Sequence, residues 1–238
     1  MKKLFSAIFF VTAFASTVLA QEKTKKTLEG NGNLVTRDIP IQSFNELKAS
    51  GIYELKLSQG NKESVKIEAD ENLQELFIVR NDGARLIIET KKMEDNVNIK
   101  SKNKMRVYVT FKNLKDLELS TIGTVQSDEQ LSFNDLQFKN KGVGSVNLSL
   151  TANRLHLENK SVGEVTLTGK AENTVLKNNG VGSINAGNFV VQAMDIDNSG
   201  IGNVEVNAAK QLKVKDNWLG KVNNKGAAPV RKSNKVVI

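Results

Sequence analysis

The chain contains no cysteine, one histidine and only two prolines among its 238 residues, and aromatic residues make up 5% of it. Without cysteine there can be no disulfide, so packing and backbone pairing alone must hold the fold together. Without cysteine and with His156 as the lone histidine, a zinc site is excluded. No nucleotide-binding or other cofactor motif is present, and we expect no cofactor.

The first 20 residues are the exception to a generally polar chain. Lys2 and Lys3 precede an apolar stretch that begins at Leu4, and the small residues up to Ala20 precede Gln21. This order predicts a secretory signal peptide, residues 1–20, cleaved after Ala20. A membrane anchor would need about 20 apolar residues, more than this stretch supplies. No second apolar run follows, so we expect no transmembrane segment in the mature chain.

Positive charge is dispersed and does not point to nucleic acid. The formal net charge of +8 falls to +6 once Lys2 and Lys3 are removed with the signal peptide. Two tyrosines, one tryptophan and the absence of interleaved arginines and aromatics argue against nucleic-acid binding. The local cluster of Lys100, Lys102 and Lys104 is interpreted as a solvated loop, with a site for anionic glycans or lipid headgroups as the alternative.

Short β-type segments follow a polar start. Residues 21–33 are predicted to be a flexible leader. Residues 34–113 alternate apolar and polar residues in short strands, with a hairpin signal at Asn81-Asp82-Gly83. No sustained helical period occurs, which predicts an all-β protein.

One pattern recurs with a period near 20 residues from about residue 114. It centres on six glycines: Gly123, Gly144, Gly163, Gly182, Gly202 and Gly220. Such a period predicts a solenoid whose repeats pack only on their neighbours. The segment Leu47–Leu55 aligns with Leu117–Val125, so the N-terminal strands should begin the same solenoid. The predicted fold is a parallel β-helix over residues 34–225, with irregular strands to 113, regular repeats over 114–225 and a C-terminal tail or cap over 226–238.

Each repeat has an asparagine from which its other positions can be counted. The asparagine column is Asn140, Asn159, Asn178 and Asn198, followed by Asp216. Stacked amides can bond to one another along the solenoid axis, and a terminal aspartate needs only to accept. The columns at −2, +3 and +6 are almost all Leu, Ile, Val or Phe and are predicted to lie inside the coil; the +3 column is Val143, Val162, Val181, Ile201 and Leu219.

Glycines bracket a tight corner in each repeat, where positive φ or close backbone approach is needed. The Gly-Val-Gly fragment also occurs in phosphate-binding loops, but here no helix follows it and it recurs in several repeats, so a nucleotide site is rejected. The last repeat departs from the pattern, since Trp218 replaces a glycine. Trp218 and the tail are therefore predicted to cap the end of the coil.

Parallel β-helices can carry polysaccharide-cleaving enzymes, so catalysis is the main rival hypothesis. The best candidates are Asp195 and Asp197, two residues apart on one strand and both predicted to point outward. Neighbouring lysines would pair with them, and His156 has no nearby serine or cysteine nucleophile signature. We therefore predict that the protein is not an enzyme.

From Phe44 onward, several motifs carry a family resemblance. They are Phe44-x-x-Leu47-x-x-Ser50-Gly51-Ile52, the segment Ser64–Leu73, and the Gly-Val-Gly repeats. Together they are similar to the GIN-type head domain named for putative autotransporter adhesins of Bacteroidetes-like bacteria. The resemblance covers about residues 34–225. It implies a right-handed parallel β-helix and an extracytoplasmic location in a Gram-negative bacterium, but it supplies no catalytic residues.

These features together predict an exported, non-catalytic adhesion, binding or structural module of the cell envelope. The predicted ligand is a glycan or an envelope protein, bound on a flank that contains Asn147, Thr166, Asn185 and Glu205. Two alternatives remain open at this point. One is a polysaccharide-cleaving enzyme, and the other is a scaffold that self-associates through its strand edges.

Overall fold

A computed structural model describes residues 26–91, 97–216 and 219–232. Over these residues the chain is nearly all β and forms a β-solenoid of about six turns, which confirms the predicted fold class. One short 3-10 helix, Glu71–Leu76, interrupts the strands. In the part of the chain that is described, no helix has the length and apolar character needed to cross a membrane.

The strands, numbered in chain order, are β1 Lys26–Glu29, β2 Leu34–Ile39, β3 Glu46–Ile52, β4 Glu54–Gln59, β5 Ser64–Asp70, β6 Phe77–Asp82, β7 Arg85–Thr90, β8 Val97–Lys100, β9 Arg106–Phe111, β10 Asp116–Ser127, β11 Leu131–Asn140, β12 Val143–Asn159, β13 Val162–Asn178, β14 Ile184–Asn198, β15 Gly202–Asp216, β16 Gly220–Asn224 and β17 Val230–Lys232. The long strands β12 to β15 each bend around the coil and so pass through a full rung. Each pairs in parallel with the next, and Asn159 lies opposite Asn178.

The interior is built from two of the three apolar columns that the sequence suggested. The −2 column is buried, as at Phe138 and Leu157, and so is the +6 column, as at Val165 and Ile184. Because alternate residues of a strand point to opposite faces, the even positions −2, 0, +2 and +6 share the inside.

The prediction that the +3 column lies inside the coil is wrong. Its side chains are about half exposed: Val143 49%, Val162 52%, Val181 47%, Ile201 49% and Leu219 45%. Position +3 follows the buried position +2 and faces away from it, and the positive-φ glycine at +4, which is not buried, interrupts the alternation before it resumes at +6. The sequence pattern shows that these residues are aliphatic, but it does not show whether their side chains point into the coil or out of it.

The N-terminal strands join the solenoid in a less regular way. β3 stacks in parallel on β10 with Leu47 opposite Leu117, the match found in the sequence. β5, however, pairs antiparallel with both β2 and β9. β6 and β7 form the antiparallel hairpin expected at Asn81-Asp82-Gly83.

The described part of the predicted leader is not a free segment. β1 pairs in parallel with β8, with Lys26 opposite Val97 and Glu29 opposite Lys100. Leu28 packs against the core, which fixes this strand in place. The interpretation of residues 26–33 as a flexible leader is therefore wrong.

The C-terminal end finishes with a divided rung. β16 pairs with the first half of β15 and β17 with its second half, so residues 226–232 continue the coil. Ala228 is buried between them. Trp218 and residues 1–25 lie outside the described residues, so the cap and signal-peptide predictions for them stay predictions.

Candidate binding groove

The asparagines of the repeat lie in one line inside the coil. Asn140 donates from Nδ2 to Oδ1 of Asn159 at 3.1 Å, Asn159 to Asn178 at 2.9 Å, and Asn178 to Asn198 at 2.8 Å. All four are at least 96% buried. Within a dry interior, each amide of the row satisfies the next.

The C-terminal end of the asparagine row differs from the rest. Asp216 lies in register with Asn198, but Nδ2 of Asn198 is buried without a hydrogen-bond partner among the described residues. The carboxylate of Asp216 lies 3.7 Å from Nζ of Lys232 instead. Asp216 therefore faces a cation of the last rung and does not accept from the asparagine row.

The glycines of the repeat hold the corner at close approach. Gly123, Gly144, Gly163, Gly182 and Gly202 all have φ between +122° and +142°. A Cβ at Gly163 would overlap the carbonyl oxygen of Gly144 in the preceding rung. The corner thus depends on the absence of a side chain as well as on positive φ. Gly220 begins β16.

The polar flank predicted from the sequence is present, but several of its groups are engaged with residues beside it. Asn147, Thr166, Asn185 and Glu205 occupy successive rungs of one column. Asn185 donates to Glu164, and Glu205 pairs with Lys225 at 2.8 Å. This leaves fewer groups available for a ligand than the sequence suggested.

The lysine cluster of the N-terminal region is also engaged. Lys100 lies 3.8 Å from Glu29, and Lys104 lies 2.7 Å from Glu54. The backbone N–H of Lys102 donates to the buried carboxylate of Asp70. These contacts favour the loop interpretation over an anion site.

A concave groove of about 810 Å³ runs along another face of the repeats. Two outward columns form its sides, at −5 and −3 from the asparagine. The −5 column is Asp135, Arg154, Asn173, Ala193 and Gln211, and the −3 column is Gln137, His156, Val175, Asp195, Lys213 and Arg231. Five intervals of about 4.8 Å make the longer column about 24 Å long.

The charges of the groove are unevenly distributed along it. At the N-terminal end Arg154 donates two hydrogen bonds to Asp135, and this contact holds the pKa of the Asp135 carboxyl below its usual range. Toward the other end lie Lys210, Lys213, Arg231 and Lys232. Lys213 is 3.7 Å from Asp195, whereas no ion pair links Lys210 or Arg231 to any described acidic residue. The C-terminal end is therefore the cationic end.

Hydrogen-bonding and apolar side chains alternate in the middle of the groove. His156 and Asn173 offer polar atoms, while Val175 is 39% exposed between them and Ala193 adds a small apolar surface. The strands beneath pair on both sides, so the backbone offers no free edge to a ligand. A molecule in the groove must be recognised by side chains.

The residues proposed for catalysis do not form an acid–base pair. Asp195 and Asp197 each face the lysine of the next rung, with Lys215 at 3.0 Å from Asp197. His156 lines the groove in the same column as Gln137 and Val175, one rung from each, and no serine or cysteine lines the groove beside it. Over residues 26–91, 97–216 and 219–232 there is also no group of three His, Asp or Glu residues that could hold a metal ion.

Sequence reasoning identified His156 and Asp195 but missed the groove that contains them. The signal it could have used is Val175, a branched apolar residue in a column that is otherwise polar or charged. Concavity itself cannot be inferred from a period, because it arises from how successive rungs bend.

Comparison with known proteins gives a consistent result. The family model described as "Putative auto-transporter adhesin, head GIN domain" matches residues 43–228. A solved structure of a putative adhesin from Bacteroides fragilis is 24% identical, with a TM-score of 0.73 over 87% of this chain and 100% of that one.

Two structures from Parabacteroides distasonis are 19% identical to this chain and each cover 87% of it. One, a putative adhesin, has a TM-score of 0.64 over 96% of its own chain, and the other, a putative lipid binding protein, has 0.63 over 95%. At these identities the likeness concerns the fold. No curated protein sequence matches the chain.

Proposed function

Because the chain belongs to the family of the auto-transporter adhesin head GIN domain, we propose that it is a non-catalytic adhesion module that binds an extended anionic glycan in the groove. The family match confirms the resemblance carried by the motifs from Phe44 onward. The proposal rests mainly on one observation, the open groove of about 810 Å³ that crosses several rungs and ends in cationic side chains.

A glycan suits this groove better than a peptide does. Peptides that bind to sheets commonly add a strand to a free edge, and the middle of the groove offers none because its strands pair on both sides. Amide side chains such as Gln137, Asn173 and Gln211 both donate and accept, as sugar hydroxyls do. Lys210 and Arg231, which form an ion pair with no described acidic residue, favour carboxylate or sulfate groups on the ligand.

The proposal also covers the location of the protein. An adhesion module must meet its ligand outside the cytoplasm, and the pattern from Lys2 to Ala20 is that of a secretory signal peptide. Expression in a Gram-negative host should yield an envelope or secreted protein whose intact mass corresponds to a chain that starts at Gln21. A product that keeps residues 1–20 in the cytoplasm would contradict this part.

The binding experiment uses polygalacturonate, alginate and chondroitin sulfate as acidic probes, with neutral amylose and polyglutamate for comparison. We expect the acidic polysaccharides to bind, and salt to weaken the binding because exposed charges are screened over about 10 Å at 0.1 M. Binding of polyglutamate without any acidic polysaccharide, or of none of the five, would contradict the proposal.

Two variants place the binding in the groove. Val175→Trp should fill its middle and reduce affinity at least tenfold, and Arg231→Gln should reduce it severalfold by removing one cation. Val190 is the matched control, since it is 38% exposed and lies outside the groove. Val190→Trp should leave affinity unchanged, and equal losses in both tryptophan variants would rule out the groove as the site.

The rival hypothesis of a polysaccharide-cleaving enzyme is tested with the same probes. We expect no new reducing ends and no unsaturated products from any of the three acidic polysaccharides. Turnover that is lost in Asp195→Asn or Asp197→Asn would show that the carboxylates act in catalysis and would refute the non-catalytic part of the proposal.

A further inference from the structure

The half-exposed aliphatic side chains at the corners form a continuous straight row. Six of them align rung on rung: Ile52, Ile122, Val143, Val162, Val181 and Ile201. Each is between 45% and 52% exposed. We call these six residues the aliphatic ladder; its five intervals of about 4.8 Å give a length of about 24 Å.

The fold itself does not use the outer half of this ladder. The interior is already filled by the −2 and +6 columns, so the exposed aliphatic surface adds nothing to the packing of one chain. Contiguous apolar strips of this kind on a monomer commonly mark a contact surface. The rungs beneath are paired on both sides, so a partner can bind only through side chains and not by adding a strand.

A channel without side chains runs directly beside the ladder. The residue after each ladder member from Ile122 onward is glycine: Gly123, Gly144, Gly163, Gly182 and Gly202. These glycines are not buried, so the channel is open to solvent. The channel has five positions and so is one rung shorter than the ladder, and a ridge next to a channel of nearly its own length is a shape that a second copy of itself can complement.

We propose that the aliphatic ladder is the contact surface of a homodimer, in which two chains lie parallel and each ladder enters the glycine channel of the other. A twofold axis parallel to the solenoid axis keeps each rung opposite the same rung of the partner. It also reverses left and right, so the ladder side of one chain faces the glycine side of the other. It therefore places each ridge over the partner's channel. In an antiparallel twofold arrangement the ladder side of one chain would face the ladder side of the other, so the two ridges would collide.

The flanking charges favour the same arrangement. Lys160 lies two residues before Val162 and Glu164 two residues after it, on opposite sides of the ladder. In the parallel dimer Lys160 faces the Glu164 of the second chain, twice by symmetry. In the antiparallel arrangement about the middle of the ladder, Lys141 would face the second chain's Lys160. Within one chain Lys160 is paired with Glu158 and Lys141 with Glu118. These ion pairs would weaken the repulsion between Lys141 and Lys160 of the two chains but would not turn it into attraction.

The rest of the surface is suited to a modest contact. Uncharged Ser145, Asn179, Ser183 and Ser199 flank the ladder on its two sides. With these columns and the width of their side chains, the surface measures roughly 30 by 20 Å, a footprint of roughly 600 Å². Stable dimers bury about 800 Å² per partner, so we expect a weak, concentration-dependent dimer.

The first measurement is sedimentation equilibrium of the chain from Gln21 between micromolar and millimolar concentration. We expect reversible dimerisation that Val162→Lys weakens at least tenfold, because a charge would be buried at the centre of the contact. Val190→Lys, at a similarly exposed position elsewhere, is the control. A chain that stays monomeric throughout would overturn the proposal. Dimerisation that Val162→Lys does not weaken would also overturn it, and would point to the strand edges instead.

The second measurement uses the absence of cysteine in the chain. Ile201→Cys lies at one end of the ladder, where the parallel dimer brings the two copies of residue 201 together. In an antiparallel dimer centred on the ladder they would lie about 24 Å apart, the full length of the ladder and too far for a disulfide. We expect Ile201→Cys to form a disulfide-linked dimer under mild oxidation, and Val190→Cys to form none at the same concentration. Cross-linking of Ile201→Cys only in mixture with Ile52→Cys would overturn the parallel arrangement.

One other occupant is tested directly. Vesicles of phosphatidylcholine alone and with phosphatidylglycerol should not bind the chain through the ladder. Vesicle binding that Val162→Lys abolishes, from a protein that remains monomeric, would assign the surface to a lipid and overturn the homodimer. Folding of each variant is checked by its thermal unfolding, which substitutions at exposed positions should change little.

Discussion

The rungs from β11 to β15 repeat one set of contacts, apart from register shifts between β13 and β14 and between β14 and β15, whereas most contacts of the strands from Leu34 to Phe111 occur once. In the repeats, one asparagine row, one glycine corner and two aliphatic columns recur in register. In the N-terminal region, parallel and antiparallel pairs alternate, and stability comes from individual side chains. Arg106, for example, bridges Glu54 and Glu68.

The difference has a structural reason. A solenoid must end somewhere, and an open parallel rung would expose both unpaired backbone and apolar interior. At the N-terminal end, the antiparallel strands β2 and β5 and the short 3-10 helix cover that interior, with Leu73 fully buried. The buried hydroxyl of Tyr53 donates to the carbonyl of Ile88 at 3.1 Å, a contact with no counterpart in the repeats. The regular repeats thus build the extended surface, and the irregular N-terminal strands close the end of the solenoid.

The largest effect is expected at the repeated corner. Gly163→Val places a side chain against the backbone of Gly144 at positive φ, and a shift of one rung would disturb its neighbours. We expect a loss of at least about 4 kcal/mol in the free energy of unfolding, measured by urea denaturation, or failure to fold.

A glycine in the N-terminal region separates the effect of positive φ from the effect of close approach between rungs. Gly83 has φ of +57° in the hairpin, and a Cβ there would meet nothing within 4 Å. Gly83→Ala should therefore cost only about 1 kcal/mol, the backbone contribution alone. If the two variants proved equally stable, close approach between rungs would not be what holds the corner.

A smaller loss is expected in the buried amide row. Asn159→Ala leaves Nδ2 of Asn140 without its acceptor and removes the donor to Asn178, both in the dry interior. We expect the free energy of unfolding to fall by about 2–4 kcal/mol, since each unsatisfied buried group costs about 1–3 kcal/mol. Calorimetry or urea denaturation gives the value.

The matched variant is Asn72→Ala in the N-terminal region. Asn72 makes two hydrogen bonds, accepting from Asn31 and donating to Glu29, but they are exposed to water, whereas Asn159 makes three in the interior, one of them accepted from Ser161. Water can replace the hydrogen bonds of Asn72, so we expect a loss of no more than about 1 kcal/mol. A loss as large as that of Asn159→Ala would mean that burial does not distinguish the two regions.

The comparison also explains how much could be predicted from the sequence. The repeats were predictable because a period states register directly, so that Asn140 falls beside Asn159 without any knowledge of the fold. The same period gave a wrong prediction at Val162. Its aliphatic character was taken as evidence of burial, although it lies three residues after the asparagine, an odd-numbered position that faces outward. Hydrophobicity indicates what a side chain prefers, whereas the corner geometry decides which way it points.

The N-terminal region was less predictable because its contacts are not periodic. The hairpin at Asn81-Asp82-Gly83 was found because turn residues are a local signal. The pairing of Lys26 with Val97 joins residues far apart in sequence and has no local signal. The groove was missed for a different reason: the period predicts that His156 lies beside Val175, but not that the −5 and −3 columns enclose a concave surface.

The smallest global effect is expected from acid, and it should be confined to the N-terminal region. The buried carboxylate of Asp70 accepts hydrogen bonds from Ser101, from the backbone of Lys102 and from Asn103. Burial alone would raise the pKa of Asp70, but these hydrogen bonds outweigh it and hold the pKa below its ordinary value of 3.8. A depressed pKa in the folded state means that the contribution to stability is present above pH 3.8 and is lost as the pH falls through the lower folded value.

Hydrogen exchange should therefore show residues 101–103 and the β1–β8 pair protected at pH 5 and loosened near pH 2, while the amides of β13 and β14 stay protected. Asp70→Asn should loosen the same segment already at pH 5, because an amide nitrogen cannot accept the bonds that the carboxylate accepts. Simultaneous loss of protection in β13 and β14 would show that the two regions unfold as one unit. In that case the division between a closing end and a repeating surface would hold for architecture but not for stability.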